Sequence, residues 1–184
     1  MTAAWQSALE DLHRAPDAAL DALLAAAPDD AEAALALALL LLESGADEEG
    51  GLHWLTVAAQ AGTPGARRLL ARATLQGRAS AHPDGREAVR LLMQAALDGE
   101  EGALDDLVQL ALLLDDALLF DAALGLEGGP MALRLAFLEA VRVRAPGWFA
   151  TFGEPLEAAL GLDGDEGEGG ESTDVGAAPG TPQG

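Results

Sequence analysis

The chain has 184 residues and a formal net charge of −21, and half of it is hydrophobic, mostly Ala and Leu. The absence of Cys excludes disulfides, thiolate metal sites and a cysteine nucleophile. Such acidity argues against nucleic acid or an anionic membrane as partner, because phosphates would be repelled.

Many Ala and Leu with few β-branched residues predict an all-α fold. The opening MTAAWQSALEDLHR has neither a basic segment nor an apolar stretch, so it does not read as a signal peptide. The longest charge-free apolar run, Ala33 to Leu42, is too short for a bilayer and reads as a buried helix. A cytoplasmic location is the expectation.

In chain order, residues 2–14 read as a first helix with Trp5, Leu9 and Leu12 on one side. Pro16-Asp17 restarts the chain, and Ala18 to Ala27 is helical. Pro28-Asp29-Asp30 caps a third helix to about Leu42, which Ser44-Gly45 ends. An acidic turn, Ala46 to Glu49, leads into a helix over Gly50 to Ala61, closed by Gly62. Thr63 is placed to cap the next helix with Pro64 at its first position, running to about Gln76. Its apolar stripe is Ala66, Leu69, Leu70 and Ala73, with Arg67, Arg68 and Arg72 off it.

Gly77 ends that helix, and the loop Arg78 to Pro83 follows. Asp84 and Glu87 have capping-box spacing for a helix to Leu97. Gly99 stops it, Glu100 to Leu114 is the next helix, and Asp115-Asp116 breaks before Ala117 to Leu124. Gly125 to Gly129 reads as a flexible joint. Pro130 opens a helix to about Arg144 with Leu133, Ala136, Phe137 and Val141 facing inward. Ala145-Pro146-Gly147 then breaks the chain. Trp148, Phe149 and Phe152 form an aromatic knot before a short last helix, Glu154 to Leu160. Residues 1–162 are therefore the folded domain, and the acidic, Gly- and Pro-rich stretch 163–184 reads as a disordered tail.

The passage AAQAGTPGA at Ala58 to Ala66 returns 37 residues later as AALDGEEGA at Ala95 to Ala103. In this register eight positions are identical: Leu55, Ala58, Ala59, Gly62, Gly65, Ala66, Leu70 and Leu75 with their partners. An internal period in the 30s marks a helical repeat array. The clearest units are residues 50–83 and 84–116. Paired Ala lets helices approach closely, Gly62 and Gly99 end each first helix, and Ala66 and Ala103 let the second fold back. The fold class is an α-solenoid of stacked antiparallel helix pairs with a divergent C-terminal helical cap.

The order Trp54, Ala58, Ala59, Gly62, Ala66, Leu70, Gly77, then Asp84 and Ala88 opening the next unit, resembles the Sel-one-like repeat, a relative of the tetratricopeptide repeat. Leu91, Ala95, Ala96, Gly99, Ala103 and Leu107 repeat the order, and the resemblance covers about residues 31–112. It departs where the family's usual second-helix Tyr is Thr74 and its loop Gly-Val is Ala79-Ser80. The resemblance implies a protein-binding scaffold. The family's cysteine-stapled branch, linked to β-lactam hydrolysis, is not supported in a chain without Cys.

No catalytic constellation is visible. His13, His53 and His82 stand in no HExxH spacing, no Ser lies in a GxSxG elbow, and Lys is absent. Most of the carboxylate pairs sit at expected helix starts, where they complement the helix dipole. No enzyme activity, cofactor or metal is expected. Six of the ten Arg fall within 67–90: Arg67, Arg68, Arg72, Arg78, Arg86 and Arg90, against only Asp84 and Glu87. A locally basic central repeat in an acidic chain suits a protein or acidic peptide, with these arginines and Trp54 as candidate contacts. The tail, with six acids and no base, is itself a candidate ligand. The expected function is a non-catalytic protein-interaction module or adaptor. The alternatives are a structural subunit of a larger assembly and, less favoured, a small helical enzyme using scattered His and carboxylates. Nothing in the sequence speaks to oligomeric state.

Overall fold

The computed structural model describes residues 3–63, 65–79 and 82–162, so the expectation of a disordered tail falls outside the described residues. Among them are ten helices and no strand: α1 Ala4–Glu10, α2 Pro16–Ala26, α3 Ala31–Ser44, α4 Glu48–Gln60, α5 Ala66–Leu75, α6 Gly85–Leu97, α7 Ala103–Leu114, α8 Asp116–Leu126, α9 Met131–Arg144 and α10 Pro146–Ala159. From α1 to α10 each helix packs on its neighbour in sequence. This is an α-solenoid.

Capping aspartates start four of the described helices, the fourth being Asp115 at α8. The Asp30 carboxylate accepts from Glu32 N and Ala33 N, Asp47 from Gly50 N and Asp84 from Glu87 N. Asp47 and Asp84 are themselves one repeat apart. The expected box at Asp84 is half formed, because the Glu87 carboxylate turns to Arg90 instead.

The repeat is visible in the backbone. Shifting α4 and the start of α5 by 37 residues gives the bounds of α6 and the start of α7. The turns match bond for bond: Thr63 N donates to Ala58 O at 3.0 Å and Glu100 N to Ala95 O at 2.9 Å. Gly62 and Gly99 both have φ of +80°, and Gly65 and Gly102 have φ of +82° and +77°. Two left-handed residues in so short a turn explain why both copies use Gly at both places.

That turn corrects one expectation. Thr63 does not cap α5 with its side chain: Gly65 is the N-cap residue, and Thr63 is buried with its carbonyl accepting from Ala66 N. The same geometry moves the start of α7 from Glu100 to Ala103, after Gly102. On α5, Thr74 is buried and its hydroxyl donates to Leu70 O at 2.8 Å.

The core runs the length of the array. Leu23, Leu37, Leu55, Leu107, Leu119 and Phe137 are almost fully buried in one cluster. Ala58, Ala66, Ala95 and Ala103 are also buried, which permits close helix approach. Trp5 is pinned at the N-terminal end, its Nε1 donating to Asp30 Oδ2 at 2.8 Å.

After α7 the regularity breaks. Asp115 closes α7 and caps α8 through Ala117 N. Gly125 belongs to α8 rather than to a flexible joint: Leu126 is fully buried, and Met93 packs where a Gly125 side chain would stand. Near its start α9 places Leu133 on the Ala95, Ala96 and Ala103 cluster, and at its end Arg144 pairs with Asp105 at 2.9 Å. α9 packs on α7, α8 and α10, and with α8 and α10 it forms the divergent cap. Ala136 is exposed, contrary to expectation, while Phe137 and Val141 are buried.

The last helix is also longer than expected. Pro146 begins α10 at the position where its missing N–H costs nothing, so Pro146-Gly147 starts a helix. Trp148, Phe149 and Phe152 lie on this helix, with Trp148 between Phe120 (centroids 5.8 Å apart) and Phe152 (5.1 Å). α10 continues past Pro155, anchored by fully buried Leu156 and Leu160.

Candidate functional site

The six arginines of 67–90 come from α5, α6 and the loop between them, and the fold separates them. Arg67 and Arg68 are adjacent in sequence, and about 100° apart around the helix axis. They therefore serve different faces of the array. Arg67 lines a groove of about 320 Å³ between α4 and α6, together with Thr56, Gln60, Glu87, Arg90 and Gln94. Arg68 and Arg72 line a groove of about 290 Å³ between α5 and α7, with Leu75, Asp106, Leu110 and Leu113.

Most of this positive charge is matched locally. Arg67 pairs with Asp98. Arg68 donates from Nε and Nη2 to Asp106 Oδ2 at 2.9 and 2.7 Å, and from Nη1 to Glu101 O at 2.7 Å. Arg78 pairs back to Glu48. Arg86 reaches Asp121 at 3.1 Å, and Arg90 reaches Glu87 at 2.6 Å within its own helix. The Arg90 guanidinium, by hydrogen bonding Glu87, holds that carboxyl below its ordinary value, and its own proton is held more tightly in return. Three of these pairs tie one unit to the next: Arg67–Asp98, Arg68–Asp106 and Arg86–Asp121.

Arg72 is the exception. It is exposed, and among the described residues no carboxylate pairs with it and no group accepts from its guanidinium. Beside it, Leu113 is 74% exposed. A cation and a bare leucine thus border the same groove, with buried Leu92 of α6 behind them. The sequence placed Arg72 with Arg67 and Arg68 but gave no sign that, of these six and among the described residues, it is the one without a carboxylate. Leu113 was also missed. It stands in the run Leu112-Leu113-Leu114, where hydropathy is uniform and only packing decides which leucine faces out.

Trp54 is half-buried against the main core, with its ring edge-on to exposed His53 at 5.2 Å. His13 is exposed in the turn after α1, and His82 is exposed in the loop between α5 and α6. Among the described residues no group of three or more His, Asp or Glu side chains is placed to hold a metal ion. No helix among them is long and apolar enough to cross a membrane.

No protein-family model matches the chain, and neither a curated protein nor a solved structure matches it.

Proposed function

We propose that the protein is a non-catalytic interaction module, an adaptor whose partner docks on the face formed by α5 and α7. The observation that carries this reading is the uncompensated Arg72 beside the exposed Leu113 at one groove. Elsewhere in the basic segment the arginines already pair with carboxylates, three of them across from one unit to the next. A charge left without a partner next to uncovered apolar surface is the combination a protein-binding surface offers. The matched helix bounds and turns of the two units support kinship with Sel-one-like repeats, and the proposed role is that of a scaffold. The proposed setting is the cytoplasm, with a protein or acidic peptide as partner and no cofactor, nucleic acid or membrane.

A photo-crosslinking residue at Leu113, compared with one at Gln60 on the α4–α6 groove, tests the assignment in the native host. A partner captured at position 113 and absent at position 60 is expected. Equal capture at both removes the assignment to this face.

The chain's own acidic tail is a candidate competitor at the Arg-bearing unit. Truncation at Gly164 is expected to raise partner affinity if the tail competes, and unchanged affinity removes that idea. A second reading, a subunit of a larger assembly, is favoured by Met131, Leu135 and Val143, all exposed on α9. A concentration-independent monomer by sedimentation would dismiss a self-assembled form of it.

A further inference from the structure

The α5–α7 groove has a chemistry specific enough to name the kind of segment it takes. This inference rests on the interaction reading given above. We infer that the groove recognises a peptide segment carrying a carboxylate about one helical turn from an aliphatic side chain, with Arg72 reading the acid and Leu113 the aliphatic group.

Three observations carry it. Arg72 and Leu75 stand three residues apart on α5, and Leu110 and Leu113 stand three apart on α7, so both walls present groups spaced one turn apart along the groove. Arg68, at the same groove, is already engaged: its guanidinium holds Asp106 and the Glu101 carbonyl. The acid of a ligand is therefore directed to Arg72. Asp106 also defines what the groove refuses. Its carboxylate stands at the Arg68 end, so a second acid placed there meets a like charge. The groove suits one acid with aliphatic neighbours, rather than a run of acids.

The charge balance makes the same point. The chain as a whole carries −21 and repels acidic partners at long range. A densely acidic ligand gains one local contact and meets that repulsion with every further charge. A singly acidic, mostly apolar segment gains the contact and the apolar cover at little cost.

The probe is a pair of labelled, end-capped Ala-rich helical peptides of equal length. They are alike except that one carries Glu and the other Gln three positions before a Leu. Binding is read by fluorescence anisotropy on the full chain, on Arg72→Gln and on Leu113→Asp, with a thermal melt confirming that each variant folds. Both substitutions are at exposed positions, so folding is expected to survive. The full chain is expected to bind the Glu peptide about three- to tenfold more tightly than its Gln twin, the range for a partly exposed charged contact. That preference disappears in Arg72→Gln, and Leu113→Asp weakens both peptides. Equal binding of the twins to the full chain, with both still lost in Leu113→Asp, overturns acid recognition and leaves the groove reading standing. A preference that survives Arg72→Gln also overturns it. Binding that neither substitution changes overturns the groove reading itself.

Discussion

Helices α4 and α5 and helices α6 and α7 share one backbone plan and carry different surfaces on it. Residues common to the two copies are those that close the turn and pack the helices: the paired Ala, the two left-handed Gly and the buried Leu at 55 and 92. Several of the residues that differ carry charge in one copy or both. Arg67 and Arg68 in the first copy stand where the second has Leu104 and Asp105. The first copy reaches forward with its arginines to Asp98 and Asp106, while the second receives Arg144 from the cap on Asp105. One backbone plan with different surface charge gives the array a direction: arginines of the first copy pair with acids of the second.

The largest expected difference between the copies is in the core. Leu107 is fully buried and its counterpart Leu70 retains 9% exposure. Leu107→Ala is expected to cost about 2–5 kcal/mol in denaturant unfolding, and Leu70→Ala less, since its site is less enclosed. Equal losses would mean that the two copies are packed alike.

The turn glycines sharpen the comparison. A side chain at Gly65 would meet nothing within 4 Å, whereas one at Gly102 would stand 3.1 Å from the Arg68 guanidinium. Gly65→Ala is expected to cost about 1 kcal/mol from backbone strain alone, and Gly102→Ala more, because Arg68 must move. In an Arg68→Ala background the two costs converge. A gap that persists there would mean that Arg68 is not its source.

At the N-terminal end, Asp30 caps α3 and holds Trp5. The Trp5 hydrogen bond, with help from backbone N–H groups, keeps its carboxyl below the ordinary aspartate value. The ionised form is favoured by folding, so this stabilisation is present above about pH 4 and is lost as pH falls through the lowered value. Asp30→Ala is expected to cost about 1 kcal/mol at neutral pH and to flatten the acid limb of the stability curve. An unchanged acid limb would place that dependence elsewhere.

The smallest effect is expected for the most exposed link between units. Arg86 and Asp121 are both largely open to solvent, so Arg86→Gln is expected to change stability by about 0–1 kcal/mol and less in high salt. A larger loss would make surface charge, rather than apolar packing, the main tie between units.

The repeat was legible in the sequence because its turn is chemically demanding. Two left-handed residues, paired Ala and an Asp cap are conditions that few residue types meet, so they mark the same positions in both copies. The cap was less legible because it follows no period. Pro146 is compatible with either ending one helix or starting another, and the packing of Leu156 and Leu160 decides between them. Gly125 carries the signal of a joint, but Met93 fills the space beside it and the helix runs on. Of the proposed site, the clustering of arginines was legible and their sorting was not. Which arginine lacks a carboxylate depends on residues 30 or more positions away, such as Asp98, Asp106 and Asp121, and on which face each helix turns toward its neighbour.

The measurement that tests the account most directly is a backbone-amide chemical-shift map of the full chain on addition of the Glu-bearing peptide. Shifts are predicted to gather on residues 68–75 and 106–113, on both walls of the α5–α7 groove, and to leave 56–60 and 87–94 unchanged. Shifts gathered on 56–60 and 87–94 would contradict the account and place recognition on the opposite face, among the arginines that already have partners.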